Sequence, residues 1–221
     1  MIESYELPLF PLNTVLFPGQ TLPLHIFEPR YRQMMADCLQ GERTFGVALI
    51  REGVEVGGAA TPCEVGTSAT IEDVKRLSDG RMNVVTVGRE RFRLQGYETE
   101  SKPYLVGRVS PWPWSDYAPQ ETEVQRTVQR RLERYVDLLS QASDADISLV
   151  SAPHSPIELA ILSAVVLQVP QEQKQTLLEL PSVSELLRQL DPLLRQENRA
   201  LEIVLASASR QGKMDGPFSQ N

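Results

Sequence analysis

The sequence predicts an α+β protein in which a β-rich first half, with one short helix, precedes a helical second half. Three observations predict it. Through residue 111, apolar residues alternate or run in short blocks punctuated by proline, glycine and an Asp-Gly pair. At Pro111-Trp112-Pro113-Trp114 that pattern stops. From residue 119 onward apolar residues recur at three- and four-residue spacing. Strands followed by helices argue α+β or two subdomains, against a doubly wound fold. The expected division is a β-rich subdomain at 1–115, a helical subdomain at 116–207 and a disordered tail at 208–221.

The opening stretch sets the β half. Residues 7–31 read LPLFPLNTVLFPGQTLPLHIFEPRY. Proline lacks a backbone N–H, so its recurrence here predicts several short extended pieces, at 5–10, 15–17 and 21–26. Pro18-Gly19 is a turn pair, and Pro29 suits the first turn of a helix over 29–39. Gly41 ends that helix. Residues 44–50 read as a buried strand, 53–62 as a Gly/Ala-rich loop, and 63–77 as a long strand with Gly66 at a bulge. Ser78-Asp79-Gly80 is the clearest hairpin signal, of the type whose tight Asp-Gly turn matches the strand twist. Its return strand is 82–87. Gly88-Arg89-Glu90 reads as a corner before a strand at 91–97, where Phe92 and Leu94 alternate with Arg91, Arg93 and Gln95. A last strand covers 104–109. The helical half is predicted at 119–142, from Ser155-Pro156 to Leu167, at 172–179, and from a Ser182/Glu185 capping box to about Ala206, with Asp191-Pro192 interrupting it.

Composition narrows the function. Net charge is −7, with 12 basic against 14 acidic residues up to residue 115 and 10 against 15 after it. Neither half carries the basic footprint of nucleic-acid binding. No apolar run approaches the roughly 20 residues that span a bilayer, and Glu3 and Glu6 stand where a signal peptide would be basic. The expectation is a cytoplasmic protein with no membrane association. Cys38 and Cys63 read as buried thiols in a reducing compartment.

No catalytic motif is visible. A phosphate-binding G-x-x-x-x-G-K-S/T loop, a dinucleotide G-x-G-x-x-G, a G-x-S-x-G elbow and H-E-x-x-H are all missing from the sequence. Two histidines and two cysteines, scattered singly, do not make a zinc site. The expectation is a non-enzyme with no cofactor and no metal. His25 reads as hydrogen-bonded at a strand end in preference to catalytic. Glu28 reads as a helix cap or as an ion-pair partner of Arg30, Arg89 or Arg91. Arg89, Arg91 and Arg93 fall by alternation on a solvated strand face, with a patch for an acidic peptide as the other reading. Trp112 and Trp114 either glue the two subdomains or anchor a partner.

These residues also resemble a known family. LPLFPLNTVLFPGQTLPLHIFEPRY (7–31), EVGTSATI (64–71) with Asp79-Gly80, VGRERFRL (87–94) and QKQTLLELPSVSELLRQLDPLLRQE (173–197) together look like the substrate-binding N-terminal domain of Lon proteases. The resemblance implies a twisted, PUA-like β pseudo-barrel followed by a helical bundle. A full Lon continues into an ATPase and a Ser-Lys peptidase, and neither signature occurs in this sequence. The expectation is therefore a stand-alone LON-domain protein that binds unfolded or exposed polypeptide segments, as an adaptor in protein quality control. Its partner would be a Lon-type or other ATP-dependent protease. Phe27, Tyr31, Trp112 and Trp114 are the candidate contact residues, with Arg89 and Arg91 at the rim. The alternatives are a component of an ATP-dependent protease, or a small-molecule- or RNA-binding PUA-like domain.

Overall fold

The structure, a computed structural model, describes residues 3–115, 122–143 and 153–214. It divides into two compact units. One holds Met1–Trp114 together with Val169–Leu180, and the other Ser115–Gln168 with Pro181–Asn221.

The first unit is built on strands β1 (Tyr5–Leu12), β2 (Thr21–Ile26), β3 (Thr44–Gly53), β4 (Ala60–Pro62), β5 (Val65–Arg76), β6 (Met82–Glu98) and β7 (Leu105–Pro111). Pairing is antiparallel except between β1 and β3. The pairings β1–β7, β7–β6, β6–β5, β5–β3 and β3–β1 form a closed circuit, with β2 added on β6 and β4 at the end of the path beyond β3. Helix α1 (Pro29–Gln40) starts on Pro29 and buries Tyr31, Met34, Met35 and Cys38, the i, i+3, i+4, i+7 stripe of one face. These pack on Phe10, Ile26, Phe45, Val47 and Ile71 from the strands.

Three local expectations are corrected. Residues 15–17 are not a strand: Val15, Leu16 and Phe17 are all buried, yet they join no ladder of the sheet. Their backbone is held by side chains, with the Val15 N–H donating to Gln171 Oε1 (2.9 Å) and the Phe17 N–H to Gln20 Oε1 (3.1 Å). The expected corner at Gly88 is absent, because β6 runs unbroken across it. Arg89 and Glu90 are instead accommodated as a bulge opposite Ser68, whose hydroxyl takes the Glu90 N–H (3.1 Å). The 78–80 turn is a three-residue loop, not the tighter two-residue turn. The Leu77 N–H donates to Arg81 O (2.8 Å) and Gly80 alone takes positive φ (82°).

Gly88 is needed for a different reason than turning the chain. Its N–H donates to Gln20 O (2.9 Å) and its carbonyl accepts from the Gly19 N–H (2.8 Å). A Cβ there would fall on the Phe17 carbonyl oxygen. Gly88→Ala is expected to destabilise the protein by about 2 kcal/mol in urea unfolding, since backbone must shift to admit one methyl.

The second unit holds α2 (Thr122–Ser143), α3 (Pro156–Val166) and α5 (Val183–Met214). Gln125 Nε2 donates to His154 O (2.9 Å) and the Gln168 N–H donates to Tyr135 Oη (3.0 Å), so α2 and α3 run in the same direction. Their cores are Val128, Leu132, Tyr135 and Val136 on α2 and Leu159, Ala160 and Ala164 on α3, with Leu186, Leu187, Leu190 and Leu194 from α5. Ser182 caps α5, its Oγ taking the Glu185 N–H (3.2 Å). Pro192 lies inside α5, which continues to Met214 instead of ending near 206. Of the expected tail at 208–221, residues 215–221 lie outside the described residues, as do 116–121 and 144–152.

One assignment by composition changes. Helix α4 (Gln171–Leu178), expected with the helical half, belongs to the first unit. Gln175 reaches Val65 O on β5 through Nε2 (3.0 Å), and Gln171 holds Val15. Helical pattern reports local structure and is silent about which core a helix joins.

Candidate functional site

Arg91 was expected on a solvated face and is instead 2% exposed, the largest fully buried side chain among the described residues. Its guanidinium carbon lies 3.6 Å from the Trp114 ring centre and 4.4 Å from that of Trp112, and Arg93 lies 4.3 Å from the Trp112 ring. Arg91 Nη1 donates to the carbonyls of Leu178 and Leu180 (2.8 Å to the latter). Leu178 ends α4, where carbonyls lack intrahelical partners and the helix dipole favours a cation. Burial, and then the positive charge of Arg93, lower the Arg91 pKa to about 9. Among the described residues no carboxylate pairs with it. This cluster fastens the end of α4 to β6. It is a clamp internal to the first unit, so Arg91 has no surface to offer a ligand.

An open groove of about 780 Å³ lies elsewhere on the same unit. One wall is the 53–60 loop running into β4, and the other is the β6–β7 connection with Tyr97, Thr99, Pro103 and Tyr104. Pro11, Arg30 and Tyr31 also line it. Tyr31, expected as an exposed contact, is 4% exposed; its ring packs on Phe10 with 4.2 Å between centroids, so it is core that shows only an edge.

The groove is pre-formed, because charged side chains pin its walls. Arg30 bonds Gly58 O (2.8 Å) and Glu28 (3.1 Å), and lies 4.5 Å from the Tyr31 ring centre. Glu28 takes the Gly57 N–H (3.1 Å), and Glu55 takes that of Asn13 (2.9 Å). Glu28 thus takes the ion-pair role and makes no side-chain cap bond. On the other wall, Tyr104 Oη donates to Asp37 Oδ2 (2.6 Å), which also receives Lys102 Nζ (3.0 Å). The hydrogen bond from Tyr104, then that from Lys102, hold the Asp37 pKa below its ordinary value. Burial first, then the bond to Asp37, raise that of Tyr104.

Around these fixed walls, large apolar side chains are left to solvent. Val54 and Val56 on the loop are 54% and 56% exposed, and Tyr97 is 43% exposed. Polar walls, aromatic rings and an apolar rim suit non-covalent binding of an extended chain. β4 offers, besides, a strand at the end of the sheet path. Sequence reading missed Tyr97 and Tyr104 in the groove and the exposed Val54 and Val56 on its loop. Only the valines had a signal, as a pair inside a glycine-rich loop.

The remaining candidates are placed singly. Phe27 is 45% exposed, and its ring stacks on His25 at 6.1 Å. His25 Nδ1 is bonded to Asn83 Oδ1 (2.7 Å), the strand-end arrangement expected. Arg89 is exposed, ion-paired with Glu72 and bonded to Thr70 Oγ1 (3.2 Å). Trp112 and Trp114 are half-buried on Arg91.

No nucleophile is prepared at either cysteine. Burial raises the Cys38 thiol to about 11 and also raises that of Cys63, which is half-buried. Thiol labelling at neutral pH is expected to modify Cys63 slowly and Cys38 only when the protein unfolds, as read by mass spectrometry along a urea series. Among the described residues no three His, Cys, Asp or Glu side chains come together as a metal site, and no helix is long and apolar enough to cross a membrane.

Comparison with known proteins matches the chain to one family. The family model for the ATP-dependent protease La (LON) substrate-binding domain matches residues 6–196. A Lon protease from Anaeromyxobacter dehalogenans is 30% identical over 218 residues, which are 97% of this chain and 25% of that protein. Lon protease 2 of Myxococcus xanthus is 28% identical over 97% of this chain and 26% of its own. The chain thus spans about a quarter of the length of these relatives. Among solved structures, a Lon N-terminal domain protein from Xanthomonas campestris superposes with a TM-score of 0.62 at 29% identity, covering 84% of this chain and 96% of that one. The N-terminal domain of a Mycobacterium avium complex Lon protease shares the fold, with a TM-score of 0.69 at 20% identity over 86% and 98% of the two chains.

Proposed function

The chain belongs to the LON substrate-binding domain family, and on that premise we propose that it is a non-enzymatic module that captures exposed segments of other polypeptides in the groove between the 53–60 loop and the β6–β7 connection. The observation that carries this reading is the groove itself. It has walls fixed by ion pairs and hydrogen bonds, with Tyr97 in its lining, and the loop that forms one wall also carries Val54 and Val56 exposed to solvent. Apolar side chains held open by a rigid frame match what an unfolded chain exposes.

Three finer readings follow the same premise. The closed circuit of strand pairing supports a PUA-like barrel for the first unit. The family supports a role as an adaptor handing bound chains to an ATP-dependent protease, Lon-type or other, in the cytoplasm. Phe27 and Arg89, being exposed, remain proposed secondary contacts.

The test is fluorescence anisotropy with a labelled, permanently unfolded carboxymethylated protein. Saturable binding is expected, competed by the same protein unlabelled and not by its native form. Lack of binding, or equal competition by the native form, would contradict the reading.

A further inference from the structure

The helical unit carries a surface of different chemistry. A groove of about 1030 Å³ along α2 and α5 is lined by Arg131, Arg134, Arg195 and Arg199, with Glu202 the only carboxylate in its lining. Arg131 is paired with Asp191 (2.7 Å) and Arg134 with Glu202 (2.9 Å). Arg195 and Arg199 are exposed and, among the described residues, have no carboxylate within 4 Å. They stand four residues apart on one helix face, where like charges repel and destabilise a helix. This basic groove sits in a protein of net charge −7.

A second observation comes from Asn198, 8% exposed, which also lines the groove. Its Nδ2 donates to Arg131 O (3.0 Å), which fixes the amide orientation and leaves Oδ1 buried with no donor among the described residues. Such an acceptor costs stability unless an N–H reaches it. At the same groove, Ile203 is 62% exposed.

We propose that this groove docks an acidic, aliphatic-bearing segment of a partner polypeptide, whose carboxylates pair with Arg195 and Arg199 and one of whose N–H groups reaches Asn198. Guanidinium donors alone would also accept a phosphate backbone. The orphaned acceptor and the exposed isoleucine favour a peptide. The site lies wholly in the helical unit and does not depend on the groove of the β unit.

The test uses the full chain and a fluorescein-labelled peptide of glutamate and leucine residues, with a glutamine-for-glutamate peptide and a single-stranded oligouridylate as comparisons. The acidic peptide is expected to bind, and to weaken as salt rises from about 50 to about 300 mM. R195E/R199E is expected to weaken it by about tenfold or more. Asn198→Leu should weaken it while leaving the salt dependence unchanged. R195E/R199E should still bind the carboxymethylated protein as the wild type does, which separates this proposal from the one above. Both arginines are exposed, so the variant should keep the wild-type far-UV circular dichroism; R195Q/R199Q serves if it does not. Equal binding of the acidic and glutamine peptides, wild-type affinity in the charge-reversed protein, or tighter arginine-dependent binding of the oligouridylate would overturn the proposal.

Discussion

Arg91→Ala is expected to destabilise the protein by about 3–5 kcal/mol in urea unfolding, the largest effect of any single substitution considered. Three losses combine. The two indoles lose the cation they enclose, with ring centres 3.6 and 4.4 Å from the guanidinium carbon. The carbonyls of Leu178 and Leu180 lose their donor at a helix end. A cavity replaces the largest fully buried side chain. Arg91→Lys keeps the charge but has no planar face to stack between two rings, so it should recover only part of the loss. Hydrogen exchange adds a readout: amides of α4 should lose protection before those of β5 and β6. A loss under about 1 kcal/mol would mean that the clamp contributes little.

Val56→Asp combined with Tyr97→Asp is expected to weaken binding of the unfolded protein by about thirtyfold or more with stability nearly unchanged. Two rim contacts of about 1 kcal/mol or more each account for that factor. Val56 is 56% and Tyr97 43% exposed, and both lie outside the core clusters, so the fold loses little when they become carboxylates. The contrast with Arg91→Ala matters. One variant pair acts on binding without stability, whereas the other acts on stability through a cluster distant in sequence from the groove-lining loop. If Trp112→Ala and Trp114→Ala instead reduced binding with stability intact, the clamp would be the contact surface after all.

What the sequence made legible is local. Pro23 within 21–26, Pro29 at the start of α1 and the Asp79-Gly80 hairpin each fix their own neighbourhood, and the structure has β2, α1 and the β5–β6 turn there. Errors arose where a distant segment decides the outcome. Alternation correctly separates Arg91 from Phe92 across β6. It is blind to the Trp indoles and the α4 terminus that cover the Arg91 side of the strand. Gly88 reads as a corner because glycine turns chains, yet here it admits the Phe17 carbonyl. The groove was the least legible feature. It draws on Pro11, Arg30, the 53–61 segment and residues 97–105, four pieces that only the strand pairing assembles. The family resemblance was legible throughout, because its motifs are the residues the fold itself requires.

Capture of exposed polypeptide in the β-unit groove can be read out by site-specific photo-cross-linking. A benzophenone amino acid placed at Val56 should cross-link to the labelled carboxymethylated protein, and excess unlabelled unfolded protein should abolish the product. The same group at Glu133, exposed on α2, should give little. Cross-linking at Glu133 equal to that at Val56, or none at Val56 while binding is saturated, would contradict it.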